Sequence, residues 1–149
     1  MLFRSIEKSV EDFLKLSLPG SKLVVGEGPQ FNELKERYPE VRFAGAQFGD
    51  DLARYYSAAD VFVFPSRTDT FGLVVLEALA SGLPVAAYPV HGPGDIIADN
   101  TKVGALSEDL RGAALKCLEL NPADCRNFAL GYSWESCTQQ FLANLNTGT

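Results

Sequence analysis

FVFPSRTDTFGLVVLEALASGLPV, residues 62–85, is the stretch that decides the fold, because it holds a strand, a turn and a helix in succession. The apolar run over 60–66 is typical of a parallel strand that is covered on both faces. A polar turn with one glycine then leads into a helix that we predict over 71–81. Gly82 suits the left-handed cap of that helix, and Pro84 prevents its continuation.

The same alternation of strand and helix continues on both sides of this stretch. It predicts an α/β fold, a Rossmann-like doubly wound parallel sheet with helices on both faces, followed by a helical C-terminal tail. Further strands are predicted at 21–26, 41–45, 84–89 and 103–107, and further helices within 27–38, 49–59, 91–97, 108–120, 122–132 and 133–145.

The start of the chain fits this fold less well. In a doubly wound sheet of order 3-2-1-4-5-6, the first strand lies in the middle. Residues 1–16 have the pattern of a helix, and only residues 1–4 are left to form that strand. We therefore expect the first central strand to be short or missing.

Length and composition exclude several classes of protein. The 149 residues suit one domain, and 46% are hydrophobic, which is enough for a core. With a net charge of −6 and scattered basic residues, a nucleic-acid surface is not expected. No apolar run approaches the ~20 residues of a membrane helix, and no signal sequence is recognisable, so we predict a cytoplasmic chain without a direct membrane anchor.

The three cysteines match no metal-ligand or redox spacing, and the only histidine, His91, lies far from them in sequence. We expect reduced thiols in Cys117, Cys125 and Cys137, and no metal site. We interpret His91 as a loop residue rather than a ligand.

Three turns follow predicted strands and should meet at one edge of the sheet, where open α/β sheets bind ligands. They lie at 26–29, 45–50 and 66–72. In the third turn, Asp69 or Thr70 can cap the following helix. Gly72 would let an anion approach the free amides at the positive end of the helix dipole, as a phosphate would. Neither a P-loop nor a Gly-x-Gly-x-x-Gly fingerprint is present.

Glu77 is a lone carboxylate within an apolar helix. Helical side chains lean toward the N-terminus, so Glu77 can point back at the cleft and accept hydrogen bonds from two ribose hydroxyls. Asp69 lies about 12 Å away along the axis if the intervening residues are helical. The two acids could then contact opposite ends of an extended nucleotide-sugar. In the alternative, Glu77 pairs with a basic side chain and Asp69 is a plain N-cap.

These residues resemble the donor-binding, C-terminal half of GT-B glycosyltransferases of family 4 (group 1), with a mannosyltransferase-like motif. Members carry Pro-Ser at a strand end, then an acid, Phe-Gly and a Glu eight residues after that acid. They continue with EA.ASG.PV, as residues 77–85 do here. The segments LVVGEGP, VRFAG, LARYYSAADVFVFPS and YSWESCTQQFL are also similar to that family, so the resemblance covers nearly the whole chain.

The resemblance implies a role for each site residue. Asp69 would contact hydroxyls of the transferred sugar, and Glu77 would hold the ribose of a GDP- or UDP-sugar, with no cofactor or metal. The remaining donor contacts would be the amides of Thr70, Phe71, Gly72 and Leu73 near the diphosphate and sugar, the backbone of Ala46 and Gln47 at the base, and the turn at Gly26 and Glu27.

The basic residues of the family are matched less closely. The family neutralises the diphosphate with an Arg and a Lys five residues apart, whereas Arg4 and Lys8 are four apart. Aligning Lys8 without a gap puts Phe3 at the arginine position. Lys8 is therefore the candidate for this catalytic role and Arg4 the weaker match, and either can be a solvated charge instead.

The resemblance also implies a partner. Residues 1–149 would form a single donor-binding domain, and the N-terminal acceptor-binding domain of a two-domain retaining hexosyltransferase would be absent. The chain alone would then be inactive. The alternative is a catalytically inactive nucleotide-binding or interaction module that forms a homodimer or docks on a separate domain. A flavodoxin- or receiver-like domain is a weaker third reading, because no acidic cluster follows the first strand.

Overall fold

A computed structural model describes residues 9–68 and 72–132, together with the backbone of residues 2–4. The helix predicted at 133–145, which contains Trp134, Cys137 and Phe141, lies outside these described residues.

The described strands form one parallel sheet in the order β3-β2-β1-β4-β5-β6, which confirms the doubly wound prediction. Each connection returns the chain to the same end of the sheet, so that the turns after the strands share one edge. The strands are β1 (Leu2–Arg4), β2 (Leu23–Val25), β3 (Arg42–Phe43), β4 (Phe62–Phe64), β5 (Val85–Ala87) and β6 (Gly104–Leu106).

The central strand β1 is present with three residues, so the expectation of a short or missing strand is confirmed as a short one. It pairs with β2 along its whole length, from Leu2 opposite Leu23 to Arg4 opposite Val25. It also pairs with β4, at Leu2 opposite Phe62. Backbone pairing on both sides stabilises three residues that would not hold a strand by themselves.

Helices cover both faces of the sheet and enclose two hydrophobic clusters. One cluster includes Phe13, Leu34 and Ala114, and the other includes Tyr56 and Leu79. Successive strand residues alternate between the two clusters, as a pleated strand buried on both sides requires. The helices are α1 (Val10–Lys15), α2 (Phe31–Arg37), α3 (Gly49–Ser57), α4 (Leu73–Ala80), α5 (Pro93–Ile97), α6 (Leu110–Cys117) and α7 (Pro122–Leu130).

The ends of α4 differ in how well the sequence predicts them. At the C-terminal end, Gly82 has a φ of 82°, and the Leu83 N–H donates to the Ala78 carbonyl over 2.9 Å, which confirms the left-handed cap. At the N-terminal end, the capping position is occupied by Gly72, which has no side chain to donate or accept. Asp69 therefore precedes the helix, and the 12 Å spacing that assumed a helical segment does not apply.

None of the helices in the described part of the chain combines the length and the apolar character needed to cross a membrane.

Candidate functional site

Two of the three turns predicted to share an edge, those after β2 and β3, line one open cleft there together with the start of α4, and the volume of this cleft is about 420 Å³. This size lies within the range of small-molecule sites. Its lining comes from the end of β2, from the turn after β3 and from the first two turns of α4: Val25, Gly26, Ala46, Gln47, Phe48, Leu73, Val74 and Glu77. Five of the predicted donor-binding residues are in this set, namely Gly26, Ala46, Gln47, Leu73 and Glu77.

Glu77 lies on the exposed stripe of α4 and not in the hydrophobic core, although its neighbours in sequence are apolar. Leu73, Glu77 and Ala80 are exposed, at the spacing of successive helical turns, while Ala78 and Leu79 are buried beside them. The stripe is narrow because most of α4 is covered by neighbouring elements. The carboxylate is exposed to solvent and lines the cleft.

Tyr56 of α3 holds this carboxylate. Its hydroxyl donates to Oε2 of Glu77 over 3.1 Å. Tyr56 is only 2% exposed, and its ring packs against Phe62 with 5.9 Å between the centroids. A carboxylate can accept about four hydrogen bonds, and the bond from Tyr56 uses one of these and orients the group.

Sequence reasoning did not identify Tyr56 as a functional residue. The signal was the helical spacing of Leu52 and Tyr56, which places both on the inner face of α3. That spacing shows that Tyr56 faces the sheet, but it carries no information on which residue of α4 its hydroxyl meets.

A backbone hydrogen bond joins the turns after β2 and β3. The Gly26 N–H donates to the Gly45 carbonyl over 2.8 Å. Glu27 is exposed beside this junction, with Oε1 3.6 Å from the place a Cβ on Gly45 would occupy. The side-chain amide of Gln47 donates to the Ala44 carbonyl over 2.8 Å, so it stabilises its own turn.

Gly72 has a different reason to be glycine from the predicted one. Its φ of 58° is left-handed, and a Cβ there would lie 2.4 Å from Cδ1 of Ile96. Gly72 is therefore buried where α4 meets α5, and the space left by its missing side chain is filled by Ile96. Packing against Ile96 and the left-handed φ are sufficient reasons for glycine at this position, and the contact of an anion with its backbone stays a prediction.

Two large apolar side chains lie exposed among the residues that line the cleft. Phe48 is 75% exposed and Leu73 is 65% exposed. Exposed phenylalanine is costly in water, so a cluster of apolar surface beside a cleft indicates a contact with a ligand or partner.

Several predicted site residues cannot be placed. Lys8, Asp69, Thr70 and Phe71 lie outside the described residues. The backbone of Arg4 ends β1 opposite Val25, which puts it at the carboxyl edge of the sheet, next to the cleft. The roles of all these residues stay predictions.

The two described cysteines are reduced, as expected, and the interpretation of His91 as a loop residue without a ligand role stays a prediction. Cys117 and Cys125 are free and buried, and burial raises the pKa of the Cys117 thiol to about 12. The exposed side chain of His91 lies outside the cleft residues, with Nδ1 3.9 Å from Asp95. Within residues 9–68 and 72–132, no cluster of three or more His, Cys, Asp or Glu could hold a metal ion.

Comparison with known proteins gives the family. The profile of the family "Glycosyl transferases group 1" matches residues 8–120, about three quarters of the chain. This chain belongs to the group 1 glycosyl transferases. Among solved structures, this group 1 chain is similar to a GtfA/B complex, with a TM-score of 0.73 at 19% identity, covering 98% of this chain and 35% of that one. It is also similar to Anabaena Alr3699/HepE in complex with UDP-glucose, with a TM-score of 0.67 at 18% identity, covering 93% and 44%.

Among curated proteins, the group 1 chain is 42% identical over 101 residues to a sulfoquinovosyl transferase of Arabidopsis thaliana, covering 64% of this chain and 20% of the relative. It is 42% identical over 93 residues to a GDP-mannose-dependent alpha-mannosyltransferase of Mycobacterium tuberculosis, covering 61% and 25%. It is 37% identical over 134 residues to an alpha-monoglucosyldiacylglycerol synthase of Streptococcus pneumoniae, covering 79% and 30%. The chain thus spans between a fifth and a third of the length of these relatives.

Proposed function

We propose that this chain binds a nucleotide-diphosphate sugar and serves as the donor-binding half of a two-domain retaining hexosyltransferase. The observation that carries the proposal is the cleft at the carboxyl edge, where Glu77 is held by Tyr56 among the turns after β2 and β3. Ligands of doubly wound sheets bind at this edge.

Glu77 would recognise the ribose. Two adjacent hydroxyls can each donate to a carboxylate, and a charged acceptor makes such bonds stronger than a neutral one. Tyr56 restrains the carboxylate before the ligand arrives, which lowers the ordering cost of binding. Ala46 and Gln47 would meet the base, with the exposed ring of Phe48 beside it.

The diphosphate would lie between the start of α4 and the N-terminal segment. Leu73 and Val74 lie in the first turn of α4, where backbone N–H groups have no carbonyl partner within the helix, and the helix dipole favours an anion there. Lys8 would add a positive charge and Asp69 would contact the sugar, as the family resemblance implies. Stabilising the leaving diphosphate lowers the barrier to transfer, which we propose proceeds with retention at the anomeric carbon.

The names of similar proteins support a nucleotide-sugar without selecting one. The mycobacterial relative is named as GDP-mannose-dependent, and the HepE structure contains UDP-glucose. Both bases therefore belong in the experiment. The chain spans at most 30% of the length of these three curated relatives. The site that binds the acceptor would therefore lie on a further domain, on the same or another chain.

Isothermal titration of this chain with GDP, UDP, GDP-mannose and UDP-glucose tests the proposal. We expect weak binding, and no turnover without an acceptor-binding domain. Glu77→Gln should weaken binding about tenfold, since it removes a charge-assisted acceptor. Glu119→Gln is the matched control, because Glu119 is exposed on another part of the surface.

Two outcomes would contradict the proposal. One is the absence of binding at millimolar concentrations of all four compounds. The other is unchanged binding in Glu77→Gln, which would move the ligand away from this cleft.

The alternative function is a catalytically inactive module that self-associates or docks on a separate domain. The apolar side chains of Phe48 and Leu73 would then contact a protein. Light scattering over a wide concentration range separates the two: a concentration-dependent dimer that Phe48→Ser abolishes favours the module, whereas a monomer that binds nucleotide favours the donor domain.

A further inference from the structure

Outside the cleft, Tyr88 forms interactions through both its hydroxyl and its ring, and the proposed function assigns no role to them. Tyr88 directly follows β5 and is only 5% exposed. It packs in the hydrophobic cluster that includes Phe13 and Leu34. A buried tyrosine must satisfy its hydroxyl, and the choice of partner therefore has structural consequences.

The hydroxyl connects Tyr88 to α1. It donates to Oδ2 of Asp12 over 2.9 Å, although the two residues are 76 positions apart. The Asp12 N–H in turn donates to the carbonyl of Ser9 over 3.0 Å. Ser9 has a left-handed φ of 70°, an uncommon conformation for serine that its surroundings must maintain. Tyr88 thus holds the residue that supports the start of α1.

The ring of Tyr88 connects it to the turn after β4. The guanidinium carbon of Arg67 lies 3.8 Å from the ring centroid, in cation–π geometry. Arg67 also forms a 3.0 Å ion pair with Glu108, in the turn that precedes α6. Both groups of this ion pair are largely exposed, so the stacking on Tyr88 is the better-shielded contact.

We propose that Tyr88 is a positioning residue that holds the turn after β4 and the start of α1 in one fixed relation, through Arg67 on its ring and Asp12 on its hydroxyl. The benefit of this coupling for donor binding rests on the proposed function. The two segments joined in this way are the ones next to Asp69 and Lys8, the residues expected to meet the sugar and the diphosphate. A donor that spans both segments would bind tightly only if their separation is constant.

The protonation state of Tyr88 is compatible with this role. Burial raises the pKa of Tyr88 and the hydrogen bond to Asp12 raises it further, and together they outweigh the lowering of that pKa by Arg67. The hydroxyl therefore stays a donor throughout the neutral range, and the connection does not depend on pH there.

Native-state hydrogen exchange on the full chain tests the coupling without any ligand. The informative amides are those of Asp12 and Thr68, which are bonded to Ser9 and to the hydroxyl of Ser66. The amide of Leu79, on the other face of the sheet, serves as the reference. Tyr88→Phe keeps the ring and removes the hydroxyl, so Asp12 should exchange about tenfold faster, while Thr68 should change much less because the ring contact with Arg67 remains.

Further variants separate the contact of the ring with Arg67 from the hydrogen bond of the hydroxyl to Asp12. Arg67→Met removes the charge that stacks on the ring, so Thr68 should exchange faster while Asp12 keeps its rate. Tyr88→Leu removes both connections, so both amides should exchange faster. Asp12→Asn keeps a side-chain oxygen that can accept from Tyr88, and we expect it to behave nearly as the unchanged chain does.

The proposal is overturned if Tyr88→Phe leaves the Asp12 amide unchanged. It is also overturned if every variant accelerates Leu79 as much as the two informative amides, because Tyr88 would then contribute only to global stability. Titration with UDP and GDP adds a separate result: Tyr88→Leu should weaken binding more than Tyr88→Phe. If the unchanged chain binds neither compound, the proposed function fails, while hydrogen exchange still decides whether Tyr88 couples the two segments.

Discussion

The hydroxyl of Tyr56 donates a 3.1 Å hydrogen bond to Oε2 of Glu77, and this bond joins α3 to α4 beside the cleft. The donor is buried in the hydrophobic core, while the acceptor faces the opening. The packing of the core and the orientation of a carboxylate that lines the cleft are therefore linked by one hydrogen bond.

This link predicts the behaviour of Tyr56→Phe. The ring keeps its packing against Phe62, and the hydrogen bond to Glu77 is lost. We expect the free energy of unfolding to fall by about 1 kcal/mol and nucleotide binding to weaken about fivefold, since both depend on that bond. Urea titration and calorimetry measure the two quantities. Tyr55→Phe is the neighbouring control, and equal effects of the two variants would contradict the prediction.

Phe48 should contribute to binding and hardly at all to stability. Its ring is 75% exposed, so Phe48→Ala should change the free energy of unfolding by no more than about 0.5 kcal/mol. If a nucleotide base stacks on the ring, the same change weakens binding by about 1–3 kcal/mol. Leu130→Ala removes a similarly exposed apolar side chain outside the cleft and should leave nucleotide binding unchanged. Full nucleotide affinity in Phe48→Ala would contradict the proposed stacking.

Gly72→Ala should destabilise the chain for two reasons that can be separated. Its φ of 58° costs an alanine about 1–2 kcal/mol, and the added Cβ would meet Cδ1 of Ile96. The double variant Gly72→Ala with Ile96→Val lacks that methyl group. The difference in the free energy of unfolding between this double variant and Ile96→Val alone therefore gives the backbone cost. Gly20→Ala, at a φ of 79° with open space around the Cβ, is the control. Thermal or urea unfolding of Gly72→Ala that matches the unchanged chain would be inconsistent with the left-handed turn.

The buried thiols predict a loss of stability in alkali. Burial raises the pKa of Cys117 to about 12 and that of Cys125 to about 11, from an ordinary value of 9.0. The unfolded chain then releases these protons at a lower pH than the folded chain does. The contribution of the thiols to stability is complete below about pH 9 and decreases as the pH rises through the folded values, for Cys117 by at most about 1.4 kcal/mol per pH unit.

Urea unfolding at pH 8 and at pH 10 tests this sign. From pH 8 to pH 10, the free energy of unfolding should decrease more in the unchanged chain than in Cys117→Ala. Burial lowers the pKa of Lys22, which has the opposite effect on the pH dependence, but Lys22 is common to both proteins and cancels in the comparison. Identical losses of stability in the two proteins would show that Cys117 does not titrate differently on unfolding.

The order of elements was predictable because each signal is local. The apolar run at 60–66, the breakers Gly82 and Pro84 and the alternation of strand with helix depend on neighbours a few residues away. Once those elements alternate, handedness and short connections leave few topologies other than a doubly wound sheet. The strand order and the edge that carries the cleft follow from that pattern.

The local geometry of the cleft was less predictable. Glu77 was expected to point back at the cleft, and it lines the cleft, but its hydrogen bond to Tyr56 joins residues 21 positions apart. Glycine was expected at 72 for a ligand, whereas the structure requires it for the approach of Ile96. The prediction for β1 was uncertain because three residues contain too little local signal, and their pairing partners lie far along the chain.

Residues close together in the chain thus specify the helices, the strands, their order and the motif by which the chain resembles its family, because backbone propensity and hydrophobic periodicity act over short distances. The contacts of Tyr56 with Glu77, of Tyr88 with Asp12 and Arg67, and of Gly72 with Ile96 arise only after the sheet has assembled. They depend on side-chain directions and distances of a few ångströms between separate elements. No pattern along the sequence encodes these, since they result from packing.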